Sequence, residues 1–282
     1  MPSFDTPKPI SATVTFRVGA LRITAGERAD TVVDVRPSSA TADVDVKAAE
    51  RTRVEFANGK LLVKGPKERS MFGKGPSVDV DIALPAGSEV HATTVMAHIA
   101  SEGGLGDCEF KTSAGDIRVE SAASAKLTTG YGDISLGRAN GPVDVSTSSG
   151  EVRLGEVEGT VEIKNSNGAT VLGDIEGDVK VKASNGSVAI DRAAADVNVK
   201  TANGAVRLGE VVRGETVVES AAGKIEIGIR EGTAAWLDVR TKAGSVSQAL
   251  EESGSPEASG DPVDTVKVHA RTGIGDIKIR RA

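Results

Sequence analysis

Between Gly132 and Gly204 the chain repeats itself every 18 residues. Four successive units read GDISLGRANGPVDVSTSS, GEVRLGEVEGTVEIKNSN, GATVLGDIEGDVKVKASN and GSVAIDRAAADVNVKTAN, opening at Gly132, Gly150, Gly168 and Gly186. The units opening at Gly115, Gly204 and Gly223 keep the frame at 17, 19 and 21 residues. Ala97 to Ala114 fits it with a degenerate start, and Val78 to Met96 fits it as well. Gly244 opens a unit with a long insertion, and Gly275 opens the last one. A unit this short cannot bury an apolar face alone, so neighbouring units must cover one another and the fold must be a stack.

Each unit holds two short alternating segments, such as Val152-Arg153-Leu154 and Val161-Glu162-Ile163. Period-2 alternation sends Val152, Leu154, Val161 and Ile163 to one face and the charges to the other, with Val157 also turned inward. Stacking coils in parallel at about 4.8 Å pairs every strand with the next coil. Aromatics are only 2% of the residues, which suits a thin aliphatic interior of Val, Ile, Leu and Ala. The expected fold is therefore all-β: a parallel β-helix, or solenoid, with two strands per coil. A right-handed stack follows from the usual hand of parallel connections. Residues 1–77 are expected to form an irregular N-terminal β cap continuous with the stack, with a short helix over Ala42 to Arg51 and a loop over 65–76. Residues 78–282 are expected to form the repeat region. An acidic, Pro/Gly/Ser-rich insertion over about 247–262 reads as disordered, and TVKVHARTGIGDIKIRR reads as the final coil.

A net charge of −6 with both signs mixed along the strands offers no footprint for nucleic acid. No run approaches 18 apolar residues, so no membrane span is expected. The N-terminus lacks the pattern of a signal peptide, which implies a cytoplasmic protein and leaves export by another route open. The one cysteine, Cys108, falls at the core position of Val143 and Val161 and reads as a buried structural thiol. His91, His98 and His269 fall on outward positions without metal-ligand spacing, so no metal, cofactor or enzymatic activity is expected.

Several features compete for function. Asn167-Gly168, Asn185-Gly186 and Asn203-Gly204 recur at the corners, where both residue types tolerate positive φ, and they read as a structural turn ladder. The corner column Arg138, Glu156, Asp174, Arg192, Glu210 mixes signs and reads as mutual neutralisation rather than a calcium site. Lys164, Lys182 and Lys200 stack as like charges that an acidic neighbour, solvent or an anionic partner must offset. Trp236 points outward in a chain poor in aromatics, and Met71 with Phe72 forms a weaker candidate contact. Two non-enzymatic roles follow: a scaffold binding a protein or glycan through its flat faces, and an end-to-end oligomer joined through terminal coils. A carbohydrate-active enzyme has least support, because tight corners leave no loop-built cleft.

The signature T-x-x-G-[DE]-[IV]-x-[LV], present at TSAGDIRV, TGYGDISL, TSSGEVRL and TGIGDIKI, resembles the bacterial DUF4097 family. The corner motifs NSNG, ASNG and TANG look like its actinobacterial members. The resemblance covers nearly the whole chain. It implies a β-strand repeat protein with an adhesin label and brings no catalytic residues with it.

Overall fold

The computed structural model describes residues 1–66, 75–250 and 264–282. Met71, Phe72 and most of the 247–262 insertion lie outside the described residues. The chain divides into two compact units, Met1–Thr147 and Ser148–Ala282.

The first unit contains β1 (Ser3–Asp5), β2 (Ser11–Thr15), β3 (Val18–Gly26), β4 (Asp30–Pro37), α1 (Asp43–Arg51), β5 (Arg53–Ala57), β6 (Lys60–Lys64), β7 (Ser77–Pro85), β8 (Glu89–Thr93), β9 (Met96–Lys111), β10 (Ile117–Tyr131) and β11 (Ile134–Ala139). A further strand, β12 (Val143–Ser149), crosses the division. The coils are parallel pairs: β3 lies between β7 and β9, and β2 lies between β6 and β8. The N-terminal coil is thus inserted between two coils that come later in sequence. Beyond it the stack closes antiparallel, with β4 on β7, β1 on β4 and β5 on β6. The helix α1 packs on β4 and β7, and its buried Asp45 accepts a hydrogen bond from the Ser77 amide at 2.8 Å.

The second unit contains β13 (Val152–Val157), β14 (Val161–Asn167), β15 (Thr170–Ile175), β16 (Val179–Asn185), β17 (Val188–Ala193), β18 (Val197–Asn203), β19 (Val206–Val211), β20 (Gly214–Ala222), β21 (Ile225–Ile229), β22 (Ala234–Ala243), β23 (Val246–Ala249), β24 (Thr265–Ile274) and β25 (Ile277–Arg281). All its pairings are parallel. Odd and even strands build two rows, with Val161, Val179 and Val197 in register along one and Leu154, Leu172, Ile190 and Leu208 along the other. These residues are buried and form the aliphatic core. The parallel β-helix expected from the repeat is the fold.

Two expectations about the C-terminal end need correction. The insertion begins later than residue 247, because Val246–Ala249 form β23. The last segment in sequence is also not the last coil in space. β24 lies between β20 and β22, and β25 lies between β21 and β23. The chain leaves β21, skips one rung to make β22 and β23, and returns to fill the gap. The crossing segment is latched by Arg281, whose guanidinium donates to the carbonyls of Arg230 at 3.1 Å and Thr233 at 2.9 Å. Sequence spacing could not show this, because repeat period reports membership of the stack and not the order within it.

Candidate functional site

The corners are built first. At the Asn-Gly pairs the turn belongs to glycine alone: Gly168, Gly186 and Gly204 have φ of 132°, 146° and 150°. Among the described residues the sole non-glycine with positive φ is Asn58, so none of the ladder asparagines uses the freedom expected of it. A Cβ on Gly186 would lie 2.0 Å from the Gly168 carbonyl oxygen, because each corner carbonyl points at the next glycine along the stack. The asparagines do something else. Asn185 donates its amide to Asn167 Oδ1 at 3.0 Å, Asn203 donates to Asn185 Oδ1 at 3.0 Å, and Asn167 donates to the Ser148 carbonyl at 3.1 Å.

At three corners the leading Thr of the T-x-x-G frame has a physical task as well, while the buried Thr147 and Thr201 hydroxyls find no partner. The Thr129 hydroxyl donates to the Gly115 carbonyl at 3.0 Å, that of Thr272 to Gly223 at 3.1 Å, and that of Thr241 to Gly275 at 2.9 Å. Each satisfies the corner carbonyl of the adjacent coil, which strand pairing leaves over. In the NSNG corner the same position is Asn165, a buried side chain whose amide donates to the Gly150 carbonyl at 3.2 Å. Sequence reasoning singled out Asn167 and passed over Asn165, although the T-x-x-G frame marks it.

Beside the corners of the second unit runs an open groove of about 1050 Å³. One wall is a register column: Lys182, Lys200, Glu219 and Arg271. Its floor is Ala183, Ala202, Ala221 and Gly273, small side chains that leave the depression, and Lys242 stands at the β22 end. The next column carries Asn185, Asn203, Ala222, Ile274 and Ala243, so the asparagine ladder continues into an apolar ridge. Four cations, Lys182, Lys200, Lys242 and Arg271, line the groove against one carboxylate, Glu219.

Their pairing is uneven. Lys200 meets Glu219 at 2.9 Å and Arg271 meets Asp238 at 3.1 Å. Lys164 and Lys180 both meet Glu162 at 3.4 Å. Lys180 first, and then Lys164, hold the Glu162 carboxyl below its ordinary value. Among the described residues Lys182 and Lys242 make no salt bridge. Of the lysine column, Lys182 and Lys200 line the groove and Lys164 does not. Lys242 and Arg271 were missed from sequence, because their coil was placed in the wrong order.

Trp236 is outward and 54% exposed, with its ring tilted against His269 at a centroid distance of 5.1 Å. It lies outside the groove lining, on the outward face of β22 with Asp238, Arg240 and Lys242. His269 sits 3.5 Å from Glu215 and 3.7 Å from Asp238, while His91 and His98 face Glu109 and Asp116 at 3.6 Å each. In the mixed-sign column Arg192 bridges Asp174 at 2.7 Å, Glu176 at 2.6 Å and Glu210 at 3.6 Å. Cys108 is buried in the core, and burial, helped by Asp107, pushes its thiol up to about 12. No helix of the described residues is long and apolar enough to cross a membrane.

The family profile of DUF4097, described as Toastrack, matches residues 20–280. The comparison with curated proteins finds no match. Among solved structures, a "putative cell adhesion protein" from Clostridium sporogenes aligns over 100% of this chain and 98% of its own, at 10% identity and TM-score 0.27. A "putative adhesin" from Bacteroides fragilis aligns over 99% and 95%, at 12% identity and TM-score 0.30. A "putative lipid binding protein" from Parabacteroides distasonis aligns over 98% and 95%, at 9% identity and TM-score 0.31. Likenesses this remote carry no argument about ligands.

Proposed function

This chain belongs to the DUF4097 Toastrack family, and on that footing we propose that it is a non-enzymatic, adhesin-like interaction protein whose groove in the second unit binds an acidic polysaccharide. One observation carries the reading: four cations face one carboxylate along an open groove, and two of them, Lys182 and Lys242, make no salt bridge among the described residues. A row of like charges left uncompensated is unfavourable until an anion lies against it. The groove runs across the strands, so successive rungs offer donors at about 4.8 Å intervals to a linear polymer lying along the stack. The asparagine ladder in the neighbouring column adds neutral amides suited to hydroxyl groups. The small, shallow floor gives no deep pocket for peptide side chains, and among the described residues no aromatic lines it for base stacking.

The test is titration of the full chain with polygalacturonate and with neutral dextran. Polygalacturonate is expected to bind and to weaken steeply as salt rises, since the contacts are exposed and screened. The pair Lys182→Glu and Lys242→Glu is expected to weaken binding tenfold or more without lowering thermal stability. Equal binding of dextran, or indifference to the double substitution, sinks the proposal. Such a partner lies outside the cytoplasm, so the reading departs from the location expected from the N-terminus. Full protection of the chain from protease added to intact cells would count against it.

A further inference from the structure

The second unit ends in an edge that resembles the inside of a stack. In β24 the inward residues Val266, Val268 and Ala270 are fully buried. Their register partners in β22 are Ala235, Leu237 and Val239, which point the same way but are only half-buried. Val246 of β23 is exposed, although its partner Ile277 is fully buried. Among the described residues nothing pairs with the far side of β22 or β23. Of the devices against edge pairing, Ala234–Ala243 has charges on its outward face alone, at Asp238, Arg240 and Lys242, and contains no proline, no register shift and no inward charge.

The first unit treats its outermost coil differently. β4 and β5 cover β7 and β6 in antiparallel fashion, β1 covers β4, and α1 packs on β4 and β7. A head-to-tail filament would have to displace that cover. The open edge therefore favours a partner that offers the same open edge, which is a two-fold, self-complementary contact.

We propose that this edge is a homodimer interface, with β22 pairing antiparallel to β22 of a second copy and β23 to its counterpart. The outward face of β22 fits itself when the pair is centred on Val239. Asp238 then stands opposite Arg240 of the second copy, and Arg240 opposite its Asp238. Trp236 stands opposite Lys242 of the second copy, a cation beside an exposed ring. Leu237 and Val239 gain the cover that every inner coil already has.

The experiment uses the full chain. At tens of micromolar, sedimentation or light scattering is expected to show twice the monomer mass. Val239→Lys, which places a charge at the inward edge position, is expected to raise the dissociation constant at least tenfold while leaving the circular dichroism spectrum unchanged. Val239→Cys is expected to oxidise to a covalent dimer, because opposed residues in an antiparallel pair stand about 4.5–5.5 Å apart, within disulfide reach. Asn198→Cys, exposed on the outward face of β18, is the control for random collision. Cys108 is buried and does not interfere. A monomeric wild type overturns the proposal. So does a dimer in which Val239→Cys links no faster than Asn198→Cys, or an assembly that grows beyond two copies.

Discussion

At the level of single residues, the corner glycines and asparagines share a motif but not a task, and substitution should separate them. Gly186→Ala forces a side chain into φ of 146° and sets its Cβ against the Gly168 carbonyl. The backbone strain alone is worth about 1–3 kcal/mol, and the collision adds to it. Gly59→Ala also has positive φ, at 72°, but nothing lies within 4 Å of its Cβ, so it reports the conformational part alone. Asn185→Ala removes two exposed hydrogen bonds, each worth about 0.5–1.5 kcal/mol at most. The expected order of melting-temperature loss is Gly186→Ala first, with the other two well behind. An Asn185→Ala loss equal to that of Gly186→Ala would show the ladder to hold the corner itself. The Asn-Gly pairs were legible as turns because glycine and asparagine both favour them. The division of labour was not, since it depends on which atom faces the adjacent coil.

At the level of elements, the repeat made the coil content readable and hid the coil order. Alternation assigns Val268 and Ala270 to the core from their own neighbours, and both are buried. It says nothing about whether β24 stacks beyond β22 or between β20 and β22. That choice rests on tertiary contacts: Gly275 packs on Gly223, Gly244 packs on Gly275, and Arg281 latches the crossing segment. The groove shared this fate, since Arg271 joins Lys200 and Glu219 only through the inserted coil. Deletion of residues 264–282 discriminates between the two orders. If β24 and β25 capped the stack, amides in β22 and β23 would keep their protection from hydrogen exchange. With β24 and β25 inserted, β22 and β23 lose their partner on the inner side, and their protection should fall to that of a mobile terminus. Amides in β14 to β17 should be unaffected, which guards against global unfolding as the explanation.

For the whole chain, the expected pH dependence follows from carboxylates on the outward faces. Lys126 first holds Glu109 below its ordinary value, Lys180 does so for Glu162, Arg280 for Glu226 and Arg271 for Asp238, while the Ser245 amide holds Asp276 down. A carboxyl that is more acidic folded than unfolded stabilises the fold above its unfolded value. That contribution is lost as pH falls through the folded value. Melting temperature is therefore expected to stay flat from neutral pH to about pH 5 and to fall below the ordinary values of 4.5 for Glu and 3.8 for Asp. Because these pairs are exposed, each contributes little, and the acid decline should be shallower at high salt than at low salt. Among the described residues the buried titrating groups are Asp45, which accepts a hydrogen bond from the Ser77 amide, and Cys108, whose thiol stays protonated across this range. Thermal scans at pH 3 to 8 and two ionic strengths test this. A loss of stability between pH 7 and 5 would overturn it.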